Sequence, residues 1–315
     1  EAPTTGLSAR ALQYNDIADA DTALSSNKHA VILLDEMNVR VRPDGSQTIR
    51  VHKVVRIQTP YGRVKYRMVY FQYNALVDQV KMEFAGARLA DGKFVSYGAA
   101  GLKDTLVQSV QPFPFYHNLR QYVYVLPDPV PGTIVEYQYV IERQSPLLPG
   151  EFEVRVPLKD EDPIIHLERT VTVPDSMRLK EFGVTDAWTP KITTKGTDRV
   201  YSWTLDKIGA KAGEYSNVAV LDNTNSVLLT TLPSWQDLSH TLAAAYEAQS
   251  VPSPALIALV KQTVGTRTGE AAMKAIYNVI ATSVTYAAKQ VFNLQVTGVR
   301  PENPDVIWQN KAADG

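Results

Sequence analysis

The sequence predicts a mainly β protein with an α tail, an antiparallel β-sandwich followed by a helical segment. Two observations carry that expectation. Up to about residue 230 the apolar residues recur with period two between turn signals, and beyond it they recur with period 3.6. Composition agrees: 315 residues with 44% hydrophobic and 21% charged side chains can build a sizeable core. The length suggests roughly two domains.

The first hairpin is read over Val31 to Ile57. Met37, Val39 and Val41 alternate with Asn38, Arg40 and Arg42. Pro43-Asp44-Gly45-Ser46 supplies the turn, with Pro presetting one dihedral and Gly accepting positive φ. On the return, Ile49, Val51, Val55 and Ile57 share one face, and Arg50, His52 and Arg56 the other. Further strand-like runs follow at Val64–Tyr73 and Val80–Leu89, with Asp91-Gly92 as the next turn. Gln121–Leu126, Thr133–Ile141, Ile164–Val173 and Arg199–Leu205 continue the series. Prolines 127, 129, 131, 157, 163 and 174 fall between runs, where a missing N–H harms no ladder. Many short, punctuated strands of this kind predict a sandwich.

The tail changes period. Ser234-Trp235-Gln236-Asp237 has the form of a capping box. Ser253-Pro254 is a cap followed by Pro at the first helical position. A third helix is read from Gly269 to Tyr286, with Met273, Ile276, Ile280 and Val284 on one face. The expected organisation is an N-terminal lead or linker over 1–25, a sandwich over 26–225, and a helical segment over 226–315. Three helices with one apolar stripe each need a partner surface, so they are expected to dock on the sandwich or on a neighbouring chain.

Several function classes fall away. With 32 basic and 33 acidic residues the formal charge is -1, which argues against a nucleic-acid partner or a polybasic membrane binder. Cysteine is absent, so these residues offer no disulfide, Cys-ligated metal or thiol nucleophile. No run approaches the ~20 apolar residues of a membrane-spanning helix. Phosphate-loop, dinucleotide, nucleophile-elbow and H-E-x-x-H motifs are missing, and no cofactor is expected. The five histidines, at 29, 52, 117, 166 and 240, are dispersed and read as surface or structural groups. Asp160-Glu161-Asp162 lacks the spaced ligands of a calcium loop and reads as a solvated turn. Aromatics cluster at Tyr66, Tyr70, Phe71 and Tyr73, and at Phe113, Phe115, Tyr116, Tyr122 and Tyr124. Such rings are ordinary strand formers. If exposed, Phe113, Phe115, Tyr122 and Tyr124 are the candidate ligand or partner surface.

Two stretches together carry a family resemblance. Val31 to Val95, Pro131-Gly132-Thr133-Ile134-Val135-Glu136-Tyr137 and Tyr201-Ser202-Trp203 resemble the DUF3857 family of bacterial envelope β-sandwich domains. Pro233-Ser234-Trp235, Ala271 to Ile280 and Val284-Thr285-Tyr286 resemble the entry to a transglutaminase-like, papain-like domain. Gly298-Val299-Arg300-Pro301 and Asp305-Val306-Ile307-Trp308 are similar to that family's approach to its catalytic helix. The resemblance implies a Cys at the start of that helix, where the helix N-terminus stabilises a thiolate, with His and Asp downstream. Here Ala313-Asp314-Gly315 stand at the approach, with Gly315 at or next to the nucleophile position. Either the nucleophile is replaced, or an alignment shifted by one places a Cys after residue 315.

The expected function is a non-catalytic recognition or accessory module, with a truncated or degenerate transglutaminase-like segment. The small, polar start Glu1-Ala2-Pro3-Thr4-Thr5-Gly6 suits a secretory cleavage product, and equally a trimmed chain. The expected location is periplasmic or secreted, with a protein or glycan partner in the bacterial envelope. Two alternatives differ in class. One is an accessory region of a cysteine amidase or acyltransferase whose catalytic residues lie beyond residue 315. The other is a carbohydrate-binding module.

Overall fold

The computed structural model describes residues 6–21, 24, 26–97, 101–111, 117–126, 129–148, 150–210, 225–286 and 301–313. In chain order it shows α1 (Ala9–Ala20), β1 (Ala30–Val41), β2 (Gln47–Ile57), α2 (Pro60–Tyr66), β3 (Met68–Asn74) and β4 (Asp78–Arg88). Then come β5 (Phe94–Tyr97), β6 (Leu102–Leu106), β7 (Leu119–Val125), β8 (Ile134–Arg143) and β9 (Glu153–Pro157). β10 (Ile164–Pro174), β11 (Lys180–Phe182), β12 (Lys191–Lys195), β13 (Asp198–Ile208) and β14 (Ser226–Thr230) complete the β part. The protein is therefore mainly β, and its helices gather toward the C-terminal end.

The first hairpin forms as its residues dictate. β1 and β2 pair from Ala30↔Ile57 to Val41↔Gln47. At the turn the Asp44 carboxylate accepts from the Ser46 N–H at 2.9 Å, and Gly45 takes φ of 81°. The strand read over Val64–Tyr73 is split. Thr59 caps α2 by accepting from the Gly62 N–H, Pro60 opens that helix, and pairing begins only at Met68.

An eight-stranded sheet runs in the order β12-β13-β10-β1-β2-β8-β4-β5. It is antiparallel except where β1 meets β10 in parallel register, from Ile32↔Ile164 to Arg40↔Thr172. A period-two pattern states which face a strand buries, not which strand lies beside it. Two three-stranded sheets, β11-β14-β9 and β3-β7-β6, cover its inner face side by side. Under the first lie Ile32, Val55, Val156, Leu167, Val171, Trp203, Val227 and Leu229. Under the second lie Ile57, Val69, Ala87, Tyr124, Leu126 and Val135. Each such buried aliphatic side chain contributes about 1.5–3 kcal/mol. Strand β14 belongs to this β unit through β9 and β11, so residues 226–230 leave the segment expected to be helical.

One correction concerns the N-terminal end. The region expected to be a lead or linker carries α1, which packs Leu7, Ala11, Tyr14 and Ala18 on the outer face of the large sheet. Its seat is Val31, Leu33, Leu34, Val54, Ile134 and Ile165. At the other end stand α3 (Trp235–Gln249), α4 (Pro254–Val264), α5 (Gly269–Ser283), β15 (Thr285–Tyr286), α6 (Pro304–Asn310) and β16 (Ala312–Ala313). The caps are those read from the sequence: Ser234 accepts from the Asp237 N–H at 3.1 Å and Ser253 from the Leu256 N–H at 3.2 Å. None of the four helices contains a buried residue. Among the described residues, no helix is long and apolar enough to cross a membrane.

Candidate functional site

Of the four aromatics offered as a ligand surface, Phe113 and Phe115 lie outside the described residues. Tyr124 is a correction: it is 4% exposed, against Tyr97 at 5.5 Å between ring centroids. Tyr122 is half-buried and stacks on Tyr73 at 5.1 Å. Their positions explain this. Tyr122 and Tyr124 pair with Phe71 and Val69 on β3. All four therefore point to the side of that sheet that meets the large one. The opposite side bears Met68, Tyr70 and Val125, which are exposed.

Gly315, at the expected nucleophile position, lies outside the described residues. The elements leading to it are described. α4, α5 and α6 surround a cavity of about 370 Å³ lined by Leu256, Leu259, Ile276, Ile280, Ile307 and Trp308, among others. The Asp305 carboxylate accepts from the Ser253 N–H at 2.9 Å, which ties α6 to the start of α4. This arrangement offers an apolar recess, and among the described residues its lining holds no titratable group.

Ionic chemistry is concentrated instead on the two faces of the large sheet, where the sequence reading did not look for it. On the inner face, Asp35 stands opposite Lys53 in the β1/β2 register. Lys53 Nζ reaches Asp160 at 2.8 Å, and Arg169 Nη2 reaches Asp35 at 3.0 Å. Arg169 also donates to the carbonyls of Pro157 at 2.8 Å and Asp35 at 2.6 Å. Burial works against the Asp35 carboxylate, yet Lys53 and Arg169 hold it down at about 2. The run Asp160-Glu161-Asp162 is thus solvated at Glu161 but not at Asp162. Asp162 is buried and accepts from Lys65 and from the Tyr66 hydroxyl, each at 2.7 Å.

On the outer face, His52 is bracketed by two carboxylates, Glu36 at Nδ1 (2.6 Å) and Glu136 at Nε2 (2.8 Å). Carboxylates only accept, so both ring nitrogens carry protons. Burial opposes the imidazolium, but Glu136 and Glu36 raise the group to about 9. Burial likewise disfavours the charged Glu36, and His52 and Arg10 together bring it below its ordinary value. A matching triplet lies alongside, with His166 between Asp206 (2.5 Å) and Glu168 (2.9 Å). Arg10 of α1 joins the two triplets by donating to Glu36 and to Glu168. A signal for this existed: Glu36 and His52 are directly opposed on the polar face of the first hairpin. What hid it was the reading of residues 1–25 as a linker, although Ser8 caps α1 by accepting from the Ala11 N–H. Each ionic group named in the two networks has a partner of opposite character within hydrogen-bond reach.

The arrangement defines a class: a β-sandwich with one large sheet and two small cover sheets, followed by a helical tail whose four described helices contain no buried residue. Residues 43–211 match the family described as a domain of unknown function with solved structure, DUF3857, and the chain belongs to that family. No curated protein matches the chain. Among solved structures, a Parabacteroides distasonis ATCC 8503 protein named provisionally as a protease is similar, with a TM-score of 0.75 and 17% identity. The match covers 91% of this chain and 56% of that one, so the chain spans little more than half of its length. An M1 zinc metallopeptidase from Deinococcus radiodurans overlaps more loosely, with a TM-score of 0.33 and 13% identity over 65% of this chain and 42% of that one.

Proposed function

We propose that this chain is a non-catalytic accessory module of an exported bacterial envelope protein. Its DUF3857 unit serves as a rigid base, and its tail is part of a transglutaminase-like unit. The observation that carries the reading is the contrast between the two parts. The β unit buries its own core, whereas α3 to α6 bury no residue and leave an apolar cavity of about 370 Å³ between α4, α5 and α6. Faces of that kind suit further polypeptide packed on them. The 315 residues contain no thiol, so the chain supplies a support and not the nucleophile of a cysteine enzyme. The absence of cysteine is also compatible with an exported protein.

A second reading, the accessory part of a larger cysteine amidase or acyltransferase, is favoured by one observation. The fold match with the longer Parabacteroides protein extends over 91% of this chain, which takes it into the helical tail. Both readings assign the chain itself a supporting role. Incubating the purified chain with fluorogenic peptide amides, and with a glutamine donor plus an amine, is expected to give no turnover above a heat-denatured control. Turnover that persists through repurification overturns the proposal.

A further inference from the structure

Helix α1 is poorly suited to stand alone. It has 12 residues, no acidic residue in its first turn and no basic residue in its last. An isolated helix of that length is marginal in water. Its hold on the sheet comes from two dissimilar halves of one seat. One half is apolar: Ala11 and Ala18 are fully buried on Val31, Leu33, Leu34, Val54, Ile134 and Ile165.

The other half is ionic, and it is continuous across five strands. The Ser8 N–H donates to Glu136 Oε2 at 2.8 Å. Glu136 on β8 meets His52 on β2, which meets Glu36 on β1. Arg10 bridges Glu36 to Glu168 on β10, Glu168 meets His166, and His166 meets Asp206 on β13. Acceptor and donor alternate at every step. Tyr14 closes the seat by stacking on the His166 ring at 4.5 Å. Two pairs flank it, Arg56 with Asp19 and Lys207 with Asp21.

The geometry points to a proton-dependent strap: α1 stays seated while His52 is doubly protonated between Glu36 and Glu136, and it lifts when that proton is lost. With a neutral ring, one nitrogen lone pair faces a carboxylate. Two buried acids at the N-terminal end of α1 are then left with Arg10 as the cation between them and the strap. Of the other charged groups on this face, Glu168, His166 and Asp206 lie on the far side of Arg10, and Arg50 and Arg56 are paired with Glu83 and Asp19, so none replaces that bridge. The sign is set by the raised value of His52. Its contribution is complete below its ordinary 6.5 and is lost as pH rises through about 9. Lifting uncovers the apolar row Val31, Leu33, Leu34, Val54, Ile134 and Ile165.

The absence of cysteine makes a direct test simple. Ala11→Cys places a single thiol on the buried side of α1, and Asp16→Cys places one on its exposed side. The ratio of their labelling rates cancels the pH dependence of thiolate chemistry. That ratio is expected to rise by at least roughly tenfold between pH 6 and pH 10, about one unit of linkage. In a His52→Gln background it is expected to be high already at pH 6 and flat with pH. A ratio that stays constant from pH 6 to 10, or that keeps its profile in His52→Gln, overturns the proposal. Should His52→Gln lose its cooperative melt, Arg10→Gln on the half-exposed helix takes its place. It must raise the ratio at pH 6, and an unchanged ratio overturns the proposal equally.

Discussion

Arg143 and Asp78 form a buried two-point ion pair between β8 and β4, with Nε to Oδ1 at 2.7 Å and Nη2 to Oδ2 at 2.9 Å. The Asp78 side chain is fully enclosed, and it also accepts from the Asn74 N–H at 2.9 Å. Removing one partner strands the other charge away from water. Asp78→Ala is therefore expected to cost about 3–5 kcal/mol, read from urea unfolding, and to loosen the turn between β3 and β4. An apolar pair substituted at both positions is expected to recover much of that loss.

The Asp35–Lys53–Arg169–Asp160 cluster predicts acid sensitivity. Asp35 is held at about 2, below its ordinary 3.8, so its contribution is present above that ordinary value and fades as pH falls through about 2. Lys53→Met deprives Asp35 and Asp160 of a shared cation. The midpoint of acid unfolding, followed by circular dichroism, is expected to move to higher pH. An unchanged midpoint contradicts this account of the cluster.

Tyr124 and Tyr70 sit on opposite sides of the same small sheet and should respond oppositely. Tyr124→Ala empties a core position and is expected to cost about 3–5 kcal/mol. Tyr70→Ser, at 63% exposure, is expected to change stability by no more than about 0.5 kcal/mol. Thermal melts of the two variants decide the point.

Gly62 permits the close approach of α2 to the start of β1. A Cβ there would lie 2.0 Å from the His29 carbonyl oxygen, which is backbone and cannot rotate away. Gly62→Ala is expected to lose at least about 1–3 kcal/mol through forced displacement of one of the two segments. Its melting temperature, compared with that of Gly92→Ala, separates contact from backbone strain. Gly92 has φ of 86° with nothing within 4 Å of the added atom.

Much of the fold was legible because its signals are local. The Pro43–Ser46 and Asp91-Gly92 turns, the Ser234 and Ser253 caps and the change of period near residue 230 each depend on a few neighbouring residues. The misread elements show where locality ends. Val64 to Tyr66 has strand-like composition, but Thr59 and Pro60 begin a helix just before it. α1 carries almost no amphipathic pattern, because alanines and a tyrosine fill a seat only another segment can provide. Tyr122 and Tyr124 were offered as an exposed surface; alternate residues of a strand share one face, yet that spacing does not say whether the face looks inward or outward.

The sequence by itself determined the mainly β class, the helical tail, the turn and cap chemistry, and the absence of any thiol within these residues. Only the tertiary structure decided the parallel meeting of β1 and β10, the inward turn of Tyr124, and the two ionic networks on opposite faces of one sheet. Propensity, capping and turn chemistry act over a few residues and can be read along the chain. A carboxylate such as Glu136 becomes a structural group only when folding brings Ser8 and His52 to it from 128 and 84 residues away.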